Sequence, residues 1–142
     1  MSDCVFCKIR DGAIPSVRID EDERTLTFMD INPLSRGHCL VVPKRHAATL
    51  LDADEADLRA AMATAKRVAA AIQAALAPDG LNMLQANGAA AFQSVPHFHL
   101  HLIPRWAGDG MGFDWPLVPG DRAAIVETGE QLRETLAQRA RS

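Results

Sequence analysis

The chain has no apolar run of membrane-spanning length, no cluster of basic residues, no repeat and no low-complexity segment. A transmembrane helix needs about 20 consecutive apolar residues, so no membrane partner is expected. The N-terminus lacks a basic region followed by an apolar stretch, the mark of a secretory leader, and a soluble, cytoplasmic protein is the expectation. Fifteen Lys and Arg stand against eighteen Asp and Glu, for a net charge of −3. Without a basic patch nucleic acid is not a favoured partner, although a few local donors can still hold a small anion. Cysteine is scarce and odd in number, three in 142 residues, which speaks against a disulfide framework and fits a reducing compartment. Cys39 sits in an apolar run and reads as a small buried hydrophobe. Cys4-x-x-Cys7 leaves redox pair, zinc ligands and chance all open.

Histidine is scarce too, with five in all, yet VPHFHLHLIPR (95–105) sets three of them at every second position. The residues between, Phe98, Leu100 and Leu102, are apolar, and that period of two is the signature of a strand with unlike faces. His97, His99 and His101 are expected on one face. A rise of roughly 3.3 Å per residue spaces neighbours about 6.6 Å apart and the outer pair about 13 Å apart, so two could share one metal ion and three could not. Imidazole changes charge near neutral pH and serves as nucleophile and ligand, so a site is expected rather than a decorated strand.

Around this segment, CVFCKIRDG suggests a short helix ending at Gly12. VRIDED and RTLTFMD suggest a hairpin, and HCLVVPK a third strand. Between Leu50 and Leu76 the period changes: Leu58, Met62, Ala65, Val68, Ile72 and Leu76 recur every three to four residues. This predicts a helix capped by Asp52 or Asp54 and closed by Pro78-Asp79-Gly80. Its many alanines suggest close packing on a sheet. LNMLQAN is a fourth strand, GAAAFQS a loop, and the histidine segment a fifth strand ended by Pro104. AGDGMGFDWPLVPGD is too rich in Gly and Pro for regular structure, and a last helix follows from Arg122 to Arg139. The class is α+β, an antiparallel five-stranded sheet with one long helix, a short N-terminal helix and a C-terminal helix.

The loop before the histidines, NGAAAFQSV, offers Asn87, Gln93 and Ser94 as neutral donors suited to phosphate oxygens. HFHLHLI, together with CVFCKIRDGAIPS, DINPLSRGHCLVVPKRH, the Asn-Gly to Gln-Ser-Val loop and the Ile-Pro-Arg exit, resembles the histidine triad (HIT) family of nucleotide-binding hydrolases, in its bacterial type with CxxC. The resemblance covers roughly residues 4 to 105. It implies a HIT-like fold over residues 1–105, with 106–142 a C-terminal extension of the same domain.

It also implies an activity. The middle histidine, His99, would attack the α-phosphate of a purine nucleotide, form a covalent nucleotidyl-imidazole and release an AMP-like monophosphate to water. His101 and His38 would assist, and Asn87, Gln93 and Ser94 would hold phosphate oxygens. Asp30 would take the ribose hydroxyls, and Phe6, Ile9 and Ile14 would clamp the base; on composition alone these three serve equally as core. Many bacterial members bind a structural zinc ion through a set that here is Cys4, Cys7, His46 and His97. The family also implies a homodimer, for which the Ala-rich helix and fourth strand offer apolar surface.

The N-terminal half is closer to the phosphoramidate-hydrolysing branch and the tail to the dinucleoside polyphosphate branch. Two other readings stay open: a catalytically weak nucleotide-binding module, and a zinc-dependent hydrolase using His97 and His99. Most members carry Gly where this chain has Phe92, so either the loop takes another shape or the phenyl ring covers the site. Trp115 either reaches a neighbouring site or plugs the core.

Overall fold

A computed structural model describes residues 3–142 of the chain, which form two compact units divided between Asp109 and Gly110. In the first unit α1 (Val5–Arg10) leads to β1 (Arg18–Glu21), β2 (Thr25–Met29), β3 (Cys39–Pro43), α2 (Glu55–Leu76), β4 (Gly80–Leu84) and β5 (Leu100–Arg105). The strands make one antiparallel sheet in the order β1-β2-β3-β5-β4. The α+β class and the five-stranded sheet expected from the sequence are those of the structure.

Strand alternation sends side chains to two apolar layers. Cys39 and Val41 of β3 join Leu100, Leu102 and Phe98 against Ala61, Ala65, Val68 and Ile72 of α2. Small side chains at 61 and 65 let the helix lie close, as its alanine content predicts. Leu40 and Val42 turn the other way and meet Leu26, Phe28 and the α1 residues Phe6 and Ile9. Each fully buried Leu, Ile, Val or Phe contributes about 1.5–3 kcal/mol, so both faces of the sheet are held.

Helix α2 starts later than Leu50. Asp54 accepts the Ala56 N–H, and residues before it form turns instead. Its first turn carries Asp57, a carboxylate only 5 % exposed that receives Arg24 at 2.9 Å and Arg45 at 3.3 Å. Strand β4 is shorter than LNMLQAN and lies at the sheet edge. Two features of β5 also differ from expectation. The strand begins only at Leu100, so His97 and His99 precede the regular ladder. It also runs through Pro104 to Arg105, because β3 pairs with β5 only as far as Leu102 and the proline ring lies beyond its last partner.

The second unit consists of an irregular segment, as its Gly and Pro content predicts, and α3 (Arg122–Ala140). Asp121 caps α3 by accepting the Ala124 N–H at 2.9 Å. No residue of α3 is buried, and Trp115 is exposed.

Candidate functional site

Four of the five histidines converge where β3, β5 and α1 meet. His38, His97 and His99 are almost completely buried, and His101 is half-buried. The ring centroids of His99 and His101 lie 4.8 Å apart, those of His38 and His101 5.2 Å apart, and the Phe6 ring stands edge-on to His99 at 5.0 Å. Alternation persists before the strand proper: Phe98 turns toward α2, helped by its N–H bond to the Ala47 carbonyl, and the histidines turn away.

Hydrogen bonds set which nitrogen of each ring carries the hydrogen. His99 Nδ1 lies 2.7 Å from the His97 carbonyl oxygen, which can only accept. Nδ1 is therefore the N–H, and the lone pair is on Nε2. His97 Nε2 donates in the same way to the Pro43 carbonyl at 2.7 Å, leaving its Nδ1 as the ligand atom. Burial lowers the pKa of His38 and His99, and it is the main cause that takes His97 and His101 down to about 4. The rings are neutral at pH 7, the state a nucleophile or metal ligand needs.

His99 and His101 open into a cavity of about 300 Å³. Its walls are apolar, from Phe6, Ile9, Ile14, Phe28, Leu40 and Val95, and its polar rim holds Asp30, Asn32, Ser16 and Ser94. Asp30 does double duty: one carboxylate oxygen accepts the Asn32 N–H at 2.8 Å and the other lies 3.4 Å from His38 Nε2. The structure thus brings Phe6, Ile9, Ile14, Asp30, Ser94, His99 and His101 to one pocket. Asn87 and Gln93 are engaged elsewhere. Asn87 accepts the Leu50 N–H and donates to Gln85, while Gln93 accepts the Gly88 N–H and donates to the Ala48 carbonyl. Sequence reasoning missed Phe28 and Leu40, although they are paired across β2 and β3 and the alternation in TLTFM and CLVVP assigns them to this face.

Phe92 takes neither course expected of it. It keeps the left-handed backbone, φ 65°, and its ring points outward, 92 % exposed. A bulky side chain there costs roughly 1–2 kcal/mol. The hydrogen bonds Phe92 N–H to Ala89 and Gln93 N–H to Gly88 hold the turn.

A second cluster lies behind His99. Cys4 Sγ is 3.4 Å from His97 Nδ1, Cys7 Sγ 3.4 Å from His46 Nδ1 and 3.6 Å from His97 Nδ1, and the two Nδ1 atoms are 3.2 Å apart. With Zn–S of about 2.3 Å and Zn–N of about 2.0–2.1 Å, the edges of a tetrahedron are about 3.6 Å for S–N and about 3.3 Å for N–N. The four donors fit those edges. The His97 Nδ1 lone pair faces both sulfurs and His46 Nδ1, and the Pro43 carbonyl orients His97 as such ligands usually are. This set could hold a metal ion.

Asp30, His38 and His101 are also close enough for a metal, but the Leu34 N–H donates to His38 Nδ1 at 3.0 Å. The hydrogen of neutral His38 is thus on Nε2, the atom facing the other two groups, and this trio is not a ligand set. His97 and His99 do not converge on one ion either: the hydrogen-bonded nitrogen of each is committed to a backbone carbonyl, and the free nitrogen of His97 faces the cysteines.

A five-stranded antiparallel sheet carrying a row of alternating imidazoles beside an apolar pocket defines the histidine triad class of fold. The HIT domain matches residues 11–108. The chain is 39 % identical over 130 residues to the adenosine 5'-monophosphoramidase of Schizosaccharomyces pombe, covering 91 % of this chain and 95 % of that one. A histidine triad nucleotide-binding protein from Candida albicans superposes with a TM-score of 0.86 at 35 % identity, over 96 % of this chain and 99 % of the other. A zinc-bound histidine triad protein from Mycobacterium smegmatis gives 0.74 at 42 %, over 96 % and 94 %. The chain belongs to the HIT family. No helix among the described residues is long and apolar enough to cross a membrane.

Proposed function

We propose that the protein hydrolyses purine nucleotides at the α-phosphate, acting on phosphoramidates or dinucleoside polyphosphates, through a covalent nucleotide on His99. The observation that carries this reading is the buried His99 ring at the pocket floor, its Nδ1–H held by the His97 carbonyl and its Nε2 lone pair available. Attack forms the Nε2–P bond and breaks the bond from phosphorus to the leaving nitrogen or oxygen, which takes a proton. The ring then carries positive charge, and the His97 carbonyl stabilises it through Nδ1–H. Water next adds to phosphorus, the P–N bond breaks, and a nucleoside monophosphate leaves.

The name of the fission yeast relative, a monophosphoramidase, supports the nitrogen leaving group. The base would lie between Phe6, Ile9, Ile14 and Phe28, with the ribose hydroxyls on Asp30 and a phosphate oxygen near Ser94. Asn87 and Gln93 would shape the turn with one amide N–H each and hold phosphate oxygens with the other. His101 and His38 would assist His99. Zinc on Cys4, Cys7, His46 and His97 would have all four positions filled by protein and so would anchor α1 without taking part in the reaction. The active form would be a homodimer, as the edge strand β4 leaves Leu81, Met83 and Leu84 part-exposed.

The test is chemical. Incubation with a phosphorus-labelled adenosine phosphoramidate, quenched in base, should leave label on the native protein. His99→Ala should carry none and lose at least about 1000-fold in turnover. Native protein that turns over substrate without ever holding label, or an undiminished variant, would overturn the proposal.

A further inference from the structure

His38 lies just ahead of β3, 2 % exposed, and outside the triad signature. Its surroundings impose a direction on a chain of hydrogen bonds. A backbone N–H can only donate, so the Leu34 amide at 3.0 Å makes His38 Nδ1 an acceptor. A neutral imidazole has one N–H and one lone pair, and the hydrogen of His38 is therefore on Nε2. That atom lies 3.0 Å from His101 Nδ1 and 3.4 Å from an Asp30 carboxylate oxygen. His101 Nδ1 must then accept, which puts the hydrogen of His101 on its own Nε2. His99 is the reverse, with its hydrogen on Nδ1. Two rings 4.8 Å apart thus hold opposite tautomers: one offers a lone pair, the other an N–H.

We propose that His38, oriented by the Leu34 amide, is a positioning residue that locks His101 in the Nε2–H tautomer, so that a lone pair for phosphorus stands beside a donor for a phosphate oxygen. The inference rests on the reading of His99 and His101 as the phosphate-facing pair. The alternative tautomer of His101 would set two hydrogens against each other across 3.0 Å and turn a lone pair toward anionic oxygens. Burial lowers the pKa of both His38 and His101 and keeps them neutral, so the tautomer is the state that counts.

The Leu34 amide is itself held in place. Ser35 Oγ donates to the Pro104 carbonyl at 2.6 Å, the His38 N–H to the Ser35 carbonyl at 3.1 Å, and the Asp30 N–H to the His38 carbonyl at 3.1 Å. Asp30 competes for the same hydrogen on His38 Nε2. A ribose diol on that carboxylate would occupy it and leave the hydrogen to His101, so nucleotide binding should tighten the lock.

The nitrogens of the histidine rings report tautomers directly in long-range ¹⁵N–¹H spectra. The native protein should show Nε2–H for His38 and His101 and Nδ1–H for His99. His38→Asn keeps an acceptor for Leu34 and loses the donor to His101. It should give mixed tautomers at His101 and about 10-fold lower kcat on an adenosine phosphoramidate, with KM changed less than about twofold. His38→Gln, whose amide N–H can reach His101, should restore the native spectral pattern. A native spectrum with Nδ1–H at His101 overturns the proposal, and so does a His38→Asn protein with native tautomers and native kcat. If His38→Asn fails to fold, the native spectrum decides alone. The spectrum is recorded without substrate, so a correct tautomer pattern with no label on His99 would sink the catalytic reading and leave the lock standing.

Discussion

Removing the proposed zinc ion should loosen the proposed nucleotide pocket, because one short helix serves both. Helix α1 has six residues, far below the roughly 12–15 at which a helix is even marginal in isolation. Cys4 caps it, accepting the Cys7 N–H on its sulfur at 3.4 Å. The same two sulfurs face His46 and His97, while Phe6 and Ile9, in the same apolar layer, wall the cavity. Without an ion, α1 is held by the burial of those two side chains, on the order of 3–6 kcal/mol before the ordering of the backbone is subtracted, and by the hydrogen bonds of Arg18 to the Ile9 and Arg10 carbonyls and of Arg10 to the Lys44 carbonyl. A site with free zinc at 100 to 1000 times its Kd stabilises by about 3–4 kcal/mol, and for a chain of this size that corresponds to roughly 10 °C in Tm.

The assay starts from protein whose zinc content is measured by elemental analysis, expected at one ion per chain. Chelation should lower Tm by about 10 °C and weaken AMP at least about 10-fold, or 1.4 kcal/mol, as the Phe6 wall loosens. Cys7→Ser should do the same, and His46→Ala less so, since that ring is exposed and does not belong to α1. Protein isolated without metal, or protein whose Tm and AMP affinity are unmoved when its zinc is stripped, would refute the reasoning.

Other consequences are as direct. Gly37 has φ +91°, and a Cβ there would lie 2.6 Å from Leu76 Cδ1 and 3.1 Å from Pro104 Cγ. Gly37→Ala should cost about 2–3 kcal/mol from backbone strain and overpacking, read as a fall in Tm of about 10 °C by circular dichroism. Acid should destabilise the fold through the buried imidazoles. A histidine whose folded pKa is depressed binds fewer protons than in the unfolded chain, so stability is complete above the unfolded value near 6.5 and falls as pH drops toward the folded value. For His101, at about 4 in the fold, this comes to about 2 kcal/mol between pH 7 and pH 5. Urea melts at the two pH values should show it, and equal midpoints would contradict the buried neutral state. Sedimentation at tens of micromolar should report a dimer that Met83→Glu on β4 dissociates; a native monomer would remove the homodimer from the account.

Much of this was legible from local pattern. The β-branched and apolar runs in RTLTFMD and HCLVVPK, the three-to-four spacing from Leu58 to Leu76, and Asp54 as one of two candidate caps are short-range signals, because backbone geometry repeats within a few residues. The histidine alternation, with its flanks, identified the family. The start of β5 was not legible. Alternation continues through His97 and Phe98, yet the ladder waits until Leu100, since a strand needs a partner, and β3 supplies one only from Val41 to Cys39. Asn87 and Gln93 looked like phosphate donors by composition, and only the folded loops at 48–50 and 85–88 reveal which backbone and side-chain groups their amides also hold.

What the amino-acid order determined alone was the class of each segment, the two-faced sheet and the inventory of chemistry: five histidines, a CxxC and a lone acid before Asn-Pro. The tertiary structure decided how that chemistry is distributed. It closed a span of 93 residues to put Cys4 against His97, and it aimed the Pro43 and His97 carbonyls and the Leu34 amide at particular ring nitrogens. Tautomer and ligand choice depend on distances of about 3 Å between groups far apart in the chain, and no periodicity encodes a long-range distance.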